Sequence, residues 1–311
     1  MKNKSLRGSL LLLLGAVVWG FAFTAQRIGM DSMPPVSFNG IRNLLAGLCL
    51  SIVVRIADRG GYCHKPLDPD QKHVQQSGGV VCGVLLFFAS TLQQIGLVDT
   101  SAGKAGFITA LYVVLVPVAG WILFRKNPGR WIWLSVLMAV AGLFLLCVPA
   151  GEKLALNRGD LMVLGCAICF TGQILAVDHF VPLVDPIRLS RDEFLVCGIL
   201  GLLVSLFTET VTPSGFKNAL PAILYAGIVS GAIGYTLQIL GQRDTNPTLA
   251  SLLMCLESVF AVLGGVLILG ERMSFREKAG CLIMFFAVIL SQLSPLLIGS
   301  KSSLGKGTSK Q

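Results

Sequence analysis

The chain has 311 residues, of which 54% are hydrophobic and only 13% charged, against roughly a quarter charged in an ordinary soluble domain. That balance, with a mean hydropathy of +0.75, excludes soluble enzymes, disordered chains and disulfide scaffolds, and makes the lipid bilayer the solvent for most of the chain. The net charge of +9 would point to nucleic acid in a soluble protein. Here the basic residues fall between apolar runs, where they act as topology signals and no nucleic-acid partner is called for.

Apolar runs bounded by charges, Pro or Gly place spans at 8–27, 36–56, 76–97, 102–124, 131–149, 159–180, 188–208, 219–241, 248–269 and 277–297. Met1 to Gln26 has a basic start and an apolar core like a signal peptide, but nine spans follow, so it reads as a retained first helix. Met33-Pro34-Pro35, Lys126-Asn127-Pro128-Gly129 and Asn246-Pro247 are breaks where helices stop. The longest connection, Ala57 to Gln75, and the Ser/Gly/Lys-rich tail after Gly299 read as solvated, and the tail as disordered. With the N-terminus in the cytoplasm, 16 basic residues lie inside and eight outside, with Arg42 buried, so both termini are expected in the cytoplasm.

The sequence repeats itself. A shift of 145 aligns Thr91-Leu92-Gln93 with Thr236-Leu237-Gln238, Gly96 with Gly241 and Asp99-Thr100 with Asp244-Thr245; six of the ten positions 91–100 match. Shifts of 150–151 align Gly15 with Gly165, Pro35 with Pro186 and Gly47 with Gly198. Each half holds an odd number of spans, five, so the second enters the membrane upside down. The expected fold is therefore an all-α polytopic membrane protein of ten transmembrane helices, built as two inverted five-helix repeats at 8–149 and 159–297 with a cytoplasmic tail at 298–311. Inverted repeats are the architecture of alternating access, with the solute site between the halves.

Trp19-Gly20, Arg42, Gly159-Asp160 and above all Leu256-Glu257-Ser258-Val259-Phe260-Ala261 running to Leu269-Gly270-Glu271-Arg272-Met273-Ser274 resemble the drug/metabolite transporter superfamily, EamA family, over about residues 8–297. The resemblance implies a ten-helix carrier in the inner or plasma membrane, often an exporter of amino acids or related metabolites.

Among sixteen acidic residues, Glu257 alone is read as lying deep in a span, about 14 Å from its cytoplasmic end at 1.5 Å per residue. Such a group either ties two helices by a hydrogen bond or carries a proton or solute. Arg42, about 10 Å below the outer end of the second span, can pair with Glu257 or snorkel to the surface. Gln93 and Gln238, equivalent under the repeat, offer amides that hold a polar solute or bond helix to helix. Gln173 and Tyr112 are similar candidates, and Trp19 an aromatic wall or a packing residue. The cavity is expected between spans one, three, four, six, eight and nine. Gly227, Ser230, Gly231 and Gly234 suit close helix contact, and Gly270-Glu271 a helix-ending turn.

Cys166 and Cys169 form a C-x-x-C that lies mid-span without a second pair, and Cys63, His64 and His73 share a loop without regular ligand spacing, so packing and solvation are the readings. No nucleotide loop, zinc motif or nucleophile elbow is present, and no cofactor is expected. The expected partners are a small-molecule metabolite, the bilayer and protons, with a homo-oligomer left open. The rival to a carrier is a polytopic membrane enzyme or a sensor of a lipid-soluble ligand, which would bring several ionisable groups to one depth.

Overall fold

A computed structural model describes residues 2–59, 69–100, 102–125, 127–148, 151, 157–261, 263 and 273–304. It contains ten helical rods among the described residues. They are α1 (Lys2–Met30), α2 (Pro35–Arg59), α3 (Pro69–Asp99), α4 (Ala102–Thr109 and Tyr112–Phe124), α5 (Arg130–Cys147), α6 (Arg158–Phe180), α7 (Pro186–Thr208), α8 (Pro213–Arg243), α9 (Pro247–Ala261) and α10 (Phe275–Leu304). Among the described residues α2, α3, α4, α5, α6 and α8 are long and apolar enough to cross a membrane; Leu6–Ala22 and Pro247–Ala261 are shorter apolar runs. Several helices outrun the spans read from hydropathy: α3 begins at Pro69, inside the connection read as solvated, α8 begins at Pro213, and α10 continues to Leu304, inside the tail. Hydropathy follows the apolar core, whereas the helical ladder runs on past it, in α10 through Pro295 and Gly299 to Leu304.

The helix starts follow local chemistry. Pro186, Pro213 and Pro247 occupy the first turn of α7, α8 and α9, and Asp185, Thr212 and Asn246 accept the free backbone N–H groups ahead of them. At α6, Asn157 and Asp160 form a reciprocal capping box, and Asp160 also accepts from Thr100 Oγ1 at 2.6 Å. The Gly159-Asp160 pair thus closes one helix start and fastens it to the end of α3.

The two halves pack as related copies. α2 lies along α7, α5 along α10, α3 along α6 and α1 along α8. Under the repeat the first two pairs map onto themselves and the last two onto each other, so the packing has an approximate two-fold axis between the halves. Each pair runs antiparallel, as the contacts of Gly40 with Gly201 and of Gly47 with Leu195 show for α2 and α7. The close crossings obey the same symmetry. A Cβ on Gly8 would stand 2.8 Å from the Gly241 carbonyl oxygen, and one on Gly96 2.8 Å from that of Gly159. Only residues without a Cβ let the rods approach this far.

Buried polar side chains and an apolar outer surface complete a membrane fold. Asn39, Gln94, Gln173 and Glu193 are wholly buried, while Leu14, Ile56, Ile122, Leu137, Leu206 and Phe207 are exposed. An acidic residue fastens each end of the α2–α7 pair, from repeat-equivalent positions 151 apart. Asp58 binds Arg188 at 2.7 Å, and Glu209 accepts from Val36 N at 3.0 Å, Ser37 N at 2.7 Å and Ser37 Oγ at 2.6 Å. Glu209→Ala frees backbone donors at the start of α2 and is expected to cost about 1–2 kcal/mol, whereas Asp58→Asn, at a pair open to water, should cost under about 1 kcal/mol. Thermal unfolding of the purified variants in detergent checks this order.

Candidate functional site

A cavity of about 600 Å3, its mouth included, lies between the halves and is lined from α1, α2, α3, α4, α6, α8 and α9. Trp19, Arg42, Gln93, Tyr112, Gln173, Gln238 and Glu257 all border it. The structure thus brings the seven residues singled out from the sequence to one place, and adds α2 to the six expected walls.

The wall is built by departures from regular helix. α8 is π-helical over Tyr225 to Tyr235, just beyond Pro221, and π-turns are frequent at functional sites. Trp19 Nε1 donates to the Ser230 carbonyl oxygen of this stretch at 3.2 Å, and the Trp19 ring packs against Tyr235 at 4.7 Å between centroids. The glycines expected to serve close contact do so: a Cβ on Gly227 would lie 2.8 Å from the Arg42 carbonyl oxygen, and one on Gly234 2.6 Å from Trp19 Nε1. α4 and α9 break at equivalent places, Ala110-Leu111 and Cys255-Leu256. Each break is followed by a cavity residue, Tyr112 in one half and Glu257 in the other.

Arg42 is buried. Its Nε and Nη2 both donate to Asn39 Oδ1, at 3.0 and 2.9 Å, and Asn39 in turn donates to Ser90 and Thr91. No ion pair joins Arg42 to Glu257 among the described residues, and burial rules out snorkelling. The guanidinium is held in place by an amide instead, which keeps its remaining donors available. The Glu257 carboxylate, 7% exposed, makes neither a hydrogen bond nor an ion pair among the described residues. Gln93 Nε2 donates to Thr109 Oγ1 at 3.2 Å.

One reading needs correction. Glu257 is not the sole acid buried within a span: Glu193, on α7, is 0% exposed and accepts from Gln173 Nε2 at 2.7 Å. Next to Arg191 and Asp192 it looks like part of a solvated helix end. In the fold, Arg191 and Asp192 pair with each other at 2.6 Å, while Glu193 points inward between helices. Sequence reasoning also missed Ser90, Thr109, Phe170, Ser230, Tyr235 and Met254 on the cavity wall. The repeat carried a signal for Phe170, which a shift of 151 pairs with Trp19; Ser90 and Tyr235, and Thr109 and Met254, are paired by the shift of 145 only with each other. The turn at Gly270-Glu271, with Leu269 and Arg272, and Cys63 and His64 of the loop, lie outside the described residues.

The profile of the EamA-like transporter family matches residues 6–148 and again 157–293. The chain belongs to this family. It is a multi-pass membrane transporter, and the enzyme reading falls with that membership. An uncharacterized transporter of Archaeoglobus fulgidus is 29% identical over 93% of this chain and 87% of its own length. The uncharacterized transporter YwfM of Bacillus subtilis is 24% identical over 92% and 94%, and the uncharacterized inner membrane transporter YedA of Escherichia coli 25% over 94% of each. A solved crystal structure superposes with a TM-score of 0.75 at 18% identity, covering 92% of this chain and 96% of its own, which is a likeness of fold.

Proposed function

We propose that this transporter is a secondary carrier that moves a small polar organic solute by alternating access, with the cavity between the halves as its solute site. The observation that carries the reading is a buried Arg42 and a Glu257 bordering the same cavity, unpaired with each other among the described residues and accompanied by the amides of Gln93, Gln173 and Gln238. Charges at membrane depth are retained where they serve a solute or an ion path. Here the cavity offers guanidinium donors, a carboxyl acceptor and neutral amides, a combination suited to a solute with both kinds of group. The family resemblance supports amino acids or related metabolites as cargo and export as the direction. Glu257 supplies a site for a coupled proton. The carrier sits in the cell membrane, as the inner membrane named for the Escherichia coli relative suggests, with both termini in the cytoplasm.

Flux into proteoliposomes, measured against a metabolite panel with and without a pH gradient, tests the function. Flux of at least one amino acid or related metabolite, altered by the gradient, is the expected result; flux of none ends the proposal. Reporter fusions at both termini are expected to report cytoplasmic ends, and an external C-terminus would sink the inverted arrangement.

A further inference from the structure

Glu193 lies one hydrogen bond behind the cavity and has no part in the transport reading above. Its Oε1 accepts from Gln173 Nε2 at 2.7 Å, and its Oε2 is buried without a hydrogen-bond partner. Gln173, which lines the cavity, passes the contact on: its Oε1 accepts from Gln238 Nε2 at 3.2 Å. Gln238 Nε2 donates also to Gln242 Oε1 at 3.1 Å, and Gln242 Nε2 donates to the Ile174 carbonyl oxygen at 3.2 Å. The chain of amides therefore ends on an acceptor at both sides, a carboxylate and a backbone carbonyl. These ends fix which way every amide faces. Gln238 spends both N–H groups on Gln173 and Gln242, and its own Oε1 is left buried and unpartnered.

We propose that Glu193 is a second proton-binding carboxyl group of the transporter, and that its protonation turns the Gln173 amide over and so reverses the hydrogen-bonding character of the cavity wall. The ionised acid only accepts, which holds the Gln173 amide nitrogen toward it and the Gln173 carbonyl toward Gln238. The protonated acid has an O–H to donate. Gln173 then accepts it through Oε1 and turns its nitrogen toward Gln238 Oε1, the carbonyl that now lacks a partner. The proton on Glu193 satisfies that orphaned carbonyl at a distance, and one Gln238 N–H is released.

The titratable groups around Glu193 are Cys82 on α3, Cys197 one turn further along α7 and Tyr235 on α8, which itself borders the cavity. Arg42 of α2, the repeat equivalent of Glu193, interacts with the same Cys197 and Tyr235. Among the described residues no ion pair reaches Glu193. Its protonation state is therefore left to water and to the amide chain. The proposal concerns an acid and a wall, not a flux, so it stands whether or not the carrier reading does.

The test needs no solute. Infrared difference spectra of the full chain in liposomes, recorded across pH, read the carbonyl stretch of protonated carboxyl groups directly. A pH-dependent band is expected in the wild type and lost in Glu193→Gln, a variant that keeps the shape of the side chain. Gln173→Leu, which leaves the acid in place, is expected to shift that band and its titration, whereas Gln93→Leu, which removes an amide that donates to Thr109 and makes no hydrogen bond to Gln173 or Glu193 among the described residues, should not. Glu257→Gln removes its own contribution and separates the two acids. A spectrum unchanged by Glu193→Gln at every pH overturns the proton site, and a band indifferent to Gln173→Leu overturns the relay.

Discussion

Glu257→Gln is expected to lower gradient-driven uptake by at least about tenfold while leaving solute-for-solute counterflow near the wild-type rate. The carboxylate borders the cavity, is almost wholly buried and makes neither a hydrogen bond nor an ion pair among the described residues. A group that merely tied α9 to a neighbour would show its partner. Gln keeps the volume and both kinds of hydrogen bond and removes only the titrating charge, so it separates proton coupling from solute recognition. Both modes are measured in the same vesicles, one driven by a pH gradient and the other by solute on the far side. Unchanged gradient-driven uptake would end the role of Glu257 as proton carrier and direct attention to Glu193, the buried acid one hydrogen bond behind the cavity.

Gly198→Ala is expected to produce the largest loss of stability of any single methyl addition, about 3 kcal/mol or more. A Cβ at this position would stand 2.4 Å from Leu44 N and 2.6 Å from Leu44 Cα. Backbone atoms cannot swing aside as a side chain does, so α2 and α7 must separate along their shared length, and dispersion contacts fade over a fraction of an ångström. The repeat gives a counterpart, since Gly47, equivalent to Gly198, faces Leu195 at 2.8 to 2.9 Å. Much of that contact is side chain, so Gly47→Ala should cost less. Gly106→Ala and Gly120→Ala serve as controls: nothing lies within 4 Å of either Cβ, and a helical Gly replaced by Ala gains up to about 1 kcal/mol. Unfolding of the four variants in one detergent should rank Gly198 last. Equal midpoints for Gly198→Ala and Gly120→Ala would refute the close-packed account of the α2–α7 seam.

The helices and the cavity were legible for one reason: a polar group in an apolar span stands out against its background. Gln93, Gln238 and Glu257 were visible in this way, and the repeat added a second, independent address for the two glutamines. Glu193 was hidden by the same logic. Flanked by Arg191 and Asp192, it has no apolar background, and hydropathy cannot tell a charge that faces inward from one that faces water. Tyr235 and Phe170 were missed because aromatic residues fit both packing and cavity walls. The hydrogen bond from Trp19 to Ser230 depends on a π-stretch that widens α8, and no local residue pattern announces that geometry. The partner of Arg42 was misjudged for a different reason. Depth along a span fixes height in the membrane but not the direction around the helix axis, and Asn39, three residues earlier on the same helix, was closer than any acid.

The two halves match in backbone and differ in charge. A carrier made of two identical halves that swapped conformations would meet each side of the membrane as the same object turned over, and the two facings would have equal energy. In this chain the swap exchanges Tyr112 for Glu257 and Arg42 for Glu193. Under the proposed alternating access, the inward and outward facings would be different molecules to a solute and to a proton, and a difference of only about 1.4 kcal/mol between them is tenfold in occupancy. On that proposal the side on which the empty carrier waits would follow from which half holds the acid, and exchanging Tyr112 and Glu257 between the halves would move it.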